Sequence, residues 1–177
     1  MGPLQPKYNF LSHDLIHDIG KTKLMVFDFD GVFTDNRVYV TQDGIESVSC
    51  WRSDGLGLSK IKQLDIPIWV ISTEKNSVVA VRCKKLQIDH IQSCDDKLAA
   101  LKNLTQQYEC ELGETIYTGN DINDRHCLES VGMPIVVADA HPDIIALSRY
   151  QTLNSGGRGA VREICDLVVY AYEQKEI

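Results

Sequence analysis

Along this chain, short apolar runs alternate with segments whose apolar residues recur at helical spacing. KLMVFDF, residues 23–29, is an apolar run bounded by charges and predicts a buried strand. RVYV and IESVSC flank TQDG, whose Asp-Gly pair signals a hairpin turn. DGLGLSKIKQL predicts a helix despite Gly57, and PIWVIS a second buried strand. NSVVAVRCKKL is an amphipathic helix with Asn76 as its N-cap. The short strand HIQ precedes the helix DDKLAALKNLTQQY, started by Asp95 or Asp96. ETIYT (strand), DINDRHCLESV (helix), PIVVA (strand), HPDIIALS (helix with an early proline) and YQTL (weak strand) follow. The loop NSGGRG leads into the last helix, GAVREICDLVVYAYEQ. Residues 1–22 predict an N-terminal arm or short helix, and residues 23–177 a single domain.

Strands separated by helices, repeated several times, imply a parallel sheet covered on both faces. The predicted fold is a doubly wound, Rossmann-like α/β domain with a β-hairpin inserted after the first strand and no large cap. Ligands of such sheets bind beyond the carboxyl ends of the strands.

Composition narrows the partners. A net charge of −7 without a basic run excludes nucleic acid. No apolar stretch is long enough to span a bilayer, and MGPLQPKYNF is not a signal peptide. Pro6 stands where a myristoylation signal wants Ser or Thr. None of the six cysteines forms a C-x-x-C pair, so they predict reduced, mostly buried thiols of a cytoplasmic protein.

The chemistry lies at the strand ends. Asp28 and Asp30 straddle the end of the first strand, and an unpaired charge inside the apolar run of Asp28 would be costly. Ser72, Thr73, Glu74 and Lys75 follow the second parallel strand. Lys97 opens a helix, where the dipole repels cations, so its place argues for a purpose. Gly119, Asn120 and Asp121 follow the fourth strand. Oxygen ligands of this kind suit Mg²⁺, and a cation, a lysine and a hydroxyl together can neutralise a phosphoryl group. One aspartate can then attack phosphorus while the other serves as acid and base. No P-loop sequence is present. His126 and His141 predict surface or capping roles.

These residues carry a resemblance. DFDGVFTD resembles the first motif, D-x-D-G-x-x-T/V, of the haloacid dehalogenase superfamily of aspartate-nucleophile phosphatases. Ser72, Lys97 and GNDIND are similar to its second, third and fourth motifs, over about residues 23–172. The short hairpin, Asp54-Gly55-Leu56-Gly57 and GGRGAVRE resemble the capless branch that dephosphorylates eight- and nine-carbon ulosonic acid phosphates. That branch is related to the C-terminal domain of N-acylneuraminate cytidylyltransferases.

The resemblance implies a Mg²⁺-dependent phosphatase of a sugar-acid phosphate that works through an aspartyl phosphate. Asp28 would be nucleophile and metal ligand, and Asp30 acid/base with its carbonyl on the metal. Ser72 and Lys97 would hold the phosphoryl group, and Asn120 and Asp121 would complete the metal site. Thr73-Glu74-Lys75 departs from the T-G-R usual in eight-carbon phosphatases toward the nine-carbon type. Thr73, Glu74, Arg82, Lys85 and Arg158 would then read the substrate, Glu74, Arg82 and Lys85 by reaching into a neighbouring copy of a homotetramer. Asn120 stands where the family has an aspartate. The expectation is weaker metal binding, with Asp121 and Asp124 restoring negative field directly or through water. The same asparagine supports an alternative, an inactive assembly module.

Overall fold

A computed structural model describes residue 8 and residues 10–175. Its centre is β1 (Leu24–Phe27), four consecutive buried residues as expected for a strand covered on both faces. Around it lie β4 (Ile68–Ile71), β5 (Asp89–Ile91), β6 (Thr115–Gly119), β7 (Met133–Val136) and β8 (Tyr150–Gln151). The order is β5-β4-β1-β6-β7-β8, with every pair parallel. The chain moves outward from β1 through β4 to β5, then returns to β6 on the other side. The order therefore reverses at β1, and the crevice beyond β1, β4 and β6 is the expected ligand site. β2 (Thr34–Val40) and β3 (Glu46–Cys50) form the separate antiparallel hairpin.

The sheet is covered by α1 (His13–Ile19), α2 (Asp54–Lys62), α3 (Val78–Leu86), α4 (Lys97–Gln107), α5 (Arg125–Ser130), α6 (Pro142–Ile145) and α7 (Ala160–Lys175). The expected N-terminal helix is α1, capped by Ser12, whose Oγ accepts from Leu15 N at 3.2 Å. It buries Ile16 and Ile19 and packs on α7. The part of the predicted arm before Tyr8 lies outside the described residues. Asp96 caps α4 by accepting from Ala99 N at 2.9 Å.

Three expectations need correction. The predicted helix over 121–131 is a tight 3₁₀ turn, Ile122–Asp124, followed by α5. The Asp124 side chain folds back onto the amides of Asn120 and Asp121, which closes the turn early. Ser77, not Asn76, occupies the N-cap position of α3, although Asn76 Oδ1 accepts from Val78 N at 3.1 Å. The helix predicted over 141–148 is only the single turn α6; His141 caps it through Nδ1, 3.3 Å from Asp143 N. The cysteines are free thiols; Cys83, Cys127 and Cys165 are buried and the other three half-buried. Among the described residues, no helix is long and apolar enough to cross a membrane.

Candidate active site

Asp28 leaves the end of β1, held by its own N–H on Thr118 O of β6 at 2.8 Å. The residue is 4% exposed. Oδ1 accepts from Phe29 N at 2.7 Å and faces Lys97 Nζ at 2.8 Å. These side-chain contacts all fall on Oδ1, which leaves Oδ2 for chemistry. Lys97, the first residue of α4, is buried with it and also reaches Asp124 Oδ1 at 2.9 Å. Two carboxylates explain why a cation sits at a helix start. Burial raises the pKa of Asp28 to about 8, and the charge of Asp124 adds to the rise; Lys97 opposes both and is outweighed. The carboxylates in turn raise Lys97 against its burial.

Asp124 is a residue whose contacts sequence reasoning did not foresee, although its negative charge acts on Asp28. It is fully buried. Oδ1 accepts from Lys97 and from Tyr117 Oη at 2.7 Å, and Oδ2 from Asn120 N at 3.0 Å and Asp121 N at 3.4 Å. Both oxygens are occupied by protein donors, so Asp124 holds Lys97 and shapes the turn. The signal was available in the spacing of GNDIND, whose last aspartate answers the last of G-D-x-x-x-D. The buried Tyr117 had none beyond its place in a strand.

Asp28, Asp30, Asn36, Ser72, Thr73, Asn120, Asp121, Ile122 and Asn123 line a cavity of about 310 Å³. The carboxyl of Asp30 is raised above its usual range, chiefly by burial and then by the charge of Glu74. Thr34 Oγ1 lies 3.4 Å from Asp30 Oδ1 and accepts from Gly31 N at 3.0 Å, which closes the turn. Ser72 is buried, and its Oγ accepts from Glu74 N at 3.1 Å, so its hydroxyl proton remains for a ligand. Gly31 adopts φ +75°, and a Cβ there would meet the Asn120 amide at 2.0 Å. Glycine is thus required for Asn120 to reach the crevice. The Asp121 carboxylate lines the cavity and accepts from Ile122 N at 2.7 Å.

The donor set fits a hard divalent cation: carboxylates of Asp28 and Asp121, the carbonyl of Asp30 and the amide oxygen of Asn120. Among the described residues no group of three or more His, Cys, Asp or Glu suited to a metal is found. The candidate set instead mixes carboxylate with carbonyl oxygens.

The expected substrate residues divide. Thr73 lines the cavity with Asp28. Glu74 borders an adjoining space of about 280 Å³ with Asp30, Asn36, Val38, Glu46, Val48, Thr73 and Val78. Its Oε1 accepts from Lys75 N at 2.6 Å and Asn76 N at 2.7 Å, shaping its own loop. Arg82 and Lys85 face a different space, beside Glu46, Val48 and Cys50 of the hairpin, and Arg82 Nη2 donates to Trp51 O at 2.9 Å. Arg158 Nη2 lies 3.7 Å from Asp35 Oδ2 and does not line the cavity. A roomier cavity of about 610 Å³ lies between α1 and α7, away from every strand-end motif.

A family model for haloacid dehalogenase-like hydrolases matches residues 63–164. A 3-deoxy-D-manno-octulosonate 8-phosphate phosphatase of Escherichia coli K12 is 36% identical, covering 93% of this chain and 88% of its own. One from Yersinia pestis is 33% identical, covering 96% and 91%. The crystal structure of such a phosphatase from Moraxella catarrhalis, in complex with magnesium, phosphate and KDO, superposes with a TM-score of 0.88 at 33% identity, covering 94% of this chain and 96% of that one.

Proposed function

The chain belongs to the haloacid dehalogenase-like hydrolases, and from that premise we propose that it is a Mg²⁺-dependent phosphatase of a sugar-acid phosphate. The substrate class is an eight- or nine-carbon 2-keto-3-deoxy ulosonic acid phosphate. The observation that carries this reading is Asp28, its Oδ1 pinned by Lys97 at 2.8 Å at the rim of a cavity that also holds Asp30 and Ser72.

Asp28 Oδ2 attacks phosphorus, and the bond from phosphorus to the sugar oxygen breaks. Asp30 serves as the general acid that gives a proton to the departing oxygen, a role favoured by burial and then Glu74, which raise its carboxyl above the usual range. In the second half Asp30 takes a proton from water, whose oxygen attacks the aspartyl phosphate. The bond to Asp28 breaks, and phosphate leaves. Lys97 spends two of its three N–H donors on Asp28 and Asp124, which leaves one for a phosphoryl oxygen beside the Ser72 hydroxyl. When bound by Asp28, Asp30, Asn120 and Asp121, Mg²⁺ supplies positive charge that holds Asp28 ionised and offsets the phosphoryl charge.

The sugar end is a matter for the assembly. Arg82 and Lys85 lie away from the cavity of their own chain, which favours their use by a neighbouring copy. The hairpin exposes Val38, Tyr39, Val40 and Ile45, each more than half accessible, as an apolar surface for a homotetramer. With net charge −7, a small-molecule substrate in the cytoplasm fits better than a polyanion or a membrane. Asn120 is the single feature favouring an inactive assembly module, and its carbonyl is itself an acceptable Mg²⁺ ligand.

Asp28→Asn should lower Mg²⁺-dependent hydrolysis of these phosphates by at least about a thousandfold, since nucleophile loss removes the covalent route. Undiminished turnover by that variant overturns the mechanism. Comparing kcat/KM for eight- and nine-carbon ulosonic phosphates decides the sugar.

A further inference from the structure

We propose that Glu163 is a positioning residue, whose buried carboxylate gathers residues 150–157 into a brace against the turn that carries Asp28 and Asp30. The inference rests on the phosphatase reading for its consequence in turnover, but not for its geometry.

Glu163 lies in the first turn of α7, is 6% exposed, and makes no contribution to the lining of the catalytic cavity. Oε1 accepts from Tyr150 Oη at 2.7 Å and Leu153 N at 2.8 Å. Oε2 accepts from Asn154 N at 3.0 Å and Asn154 Nδ2 at 2.5 Å. Four donors on one buried carboxylate satisfy it without a salt bridge, and its place at a helix start suits a negative charge. Burial and then Glu163 raise the Tyr150 phenol well above its ordinary pKa, so Tyr150 stays a donor.

The segment so gathered runs straight to the catalytic turn. Gly156 N donates to Asp139 Oδ1 at 2.9 Å and Gly157 N to Val32 O at 3.0 Å. A Cβ on Gly156 would lie 1.8 Å from Gly31 O, and one on Gly157 2.3 Å from Asp35 N. The two loops therefore meet backbone to backbone, with no side chain between them to absorb a displacement. Gly31 in turn abuts Asn120. A shift at residues 153–157 reaches the turn between Asp30 and Asp35 directly, and close geometry at a reacting centre is worth large factors in rate.

The experiment compares wild type with Glu163→Gln, which keeps the size of the side chain but turns one acceptor into a donor facing other donors. Two readouts are taken well below the melting temperature: amide hydrogen exchange at Gly31, Val32, Phe33 and Gly157, and kcat and KM for a phosphate ester with saturating Mg²⁺. The expected result is faster exchange at those amides and a fall in kcat of about tenfold, the scale of a geometric misplacement, with an unchanged circular dichroism spectrum. Tyr150→Phe removes one donor of four and should move both readouts less, in the same direction; it decides the matter if Glu163→Gln does not fold. A lowered melting temperature with wild-type exchange at those amides and wild-type kcat overturns the proposal and leaves Glu163 a structural residue. If the wild type hydrolyses no phosphate ester, the phosphatase reading fails, and the exchange data alone decide whether the brace exists.

Discussion

Two halves of the crevice differ in how complete they are. Behind Asp28, the buried charges are paired: Lys97 joins Asp28 to Asp124, and Tyr117 and two backbone amides finish Asp124. Under the hairpin, the adjoining space carries Glu46 and Glu74 on its walls, while the basic residues expected to read a sugar acid face elsewhere. A carboxylate substrate entering that space would meet like charge unless a cation came from outside. On the proposed phosphatase reading, the phosphoryl chemistry is built into one chain, whereas recognition of the acid would call for a second.

The sharpest way to break this contrast is to strike the finished half. Asp124→Asn keeps the shape but removes the charge that balances Lys97. Breaking a buried ion pair costs about 3 kcal/mol or more, and Lys97, no longer held from behind, should misplace Asp28. Urea unfolding should show that loss, and turnover at saturating substrate should fall by about a hundredfold, as misplacement near the reacting atoms can. A wild-type midpoint and rate would mean that Asp124 is dispensable.

Burial alone does not mark a site, and Asp54 provides the control. It is 1% exposed at the start of α2; Oδ1 accepts from Arg162 N at 3.2 Å, but Oδ2 has no partner. Burial lifts its pKa to about 6, against that bond and the charges of Arg82 and Arg162. The folded protein therefore keeps a proton that the unfolded chain releases near pH 4. Stability contributed by this group is full below about pH 4 and is lost as pH rises through about 6, by no more than about 3 kcal/mol. Asp54→Asn should flatten that slope in melting experiments between pH 4 and 7. An unaltered slope would assign the pH dependence to other groups.

The hairpin half should respond differently. Arg82→Ala and Lys85→Ala leave the Asp28 cluster untouched, so turnover of a small generic phosphate ester should stay near wild type. For an ulosonic acid phosphate, kcat/KM should fall by about tenfold, the loss of one charged contact. Equal losses on both substrates would show that these residues serve the fold instead.

How much of this could be read in advance follows the range of the interactions. The strands and the strand-end positions of Asp28, Asp30 and Ser72 were legible because each is local, an apolar run and then a polar residue at its end, and the position of Lys97 was legible as a helix start. The shortened turn at 122–124 and the role of Asp124 were not. They depend on a side chain returning to its own backbone and on a lysine 27 positions away in sequence. Arg82 and Lys85 could be suspected from their neighbours in sequence, but the face they occupy is set by how α3 lies beside the hairpin. Glu163 gave no local sign of its four donors, which come from a strand end and the following loop.

The smallest expected effect concerns Asn120, where the finished half of the crevice is itself short of one charge. The residue is 8% exposed, with its side chain packed on Gly31, and the isosteric Asn120→Asp should not disturb the turn. Its effects should have opposite signs in the two states of the protein. Without metal, a further carboxylate beside Asp28, Asp30 and Asp121 adds like charge, and the melting temperature should fall. With Mg²⁺, the added charge strengthens binding, so the half-saturating concentration should drop by a few-fold. The stabilisation gained on adding Mg²⁺ should therefore be larger in the variant than in wild type, because ligand-linked stability grows with the ratio of concentration to dissociation constant. A variant with wild-type Mg²⁺ demand and an unaltered metal-free melting temperature would show that position 120 faces neither the cation nor its carboxylates, and the crevice would then be complete without it.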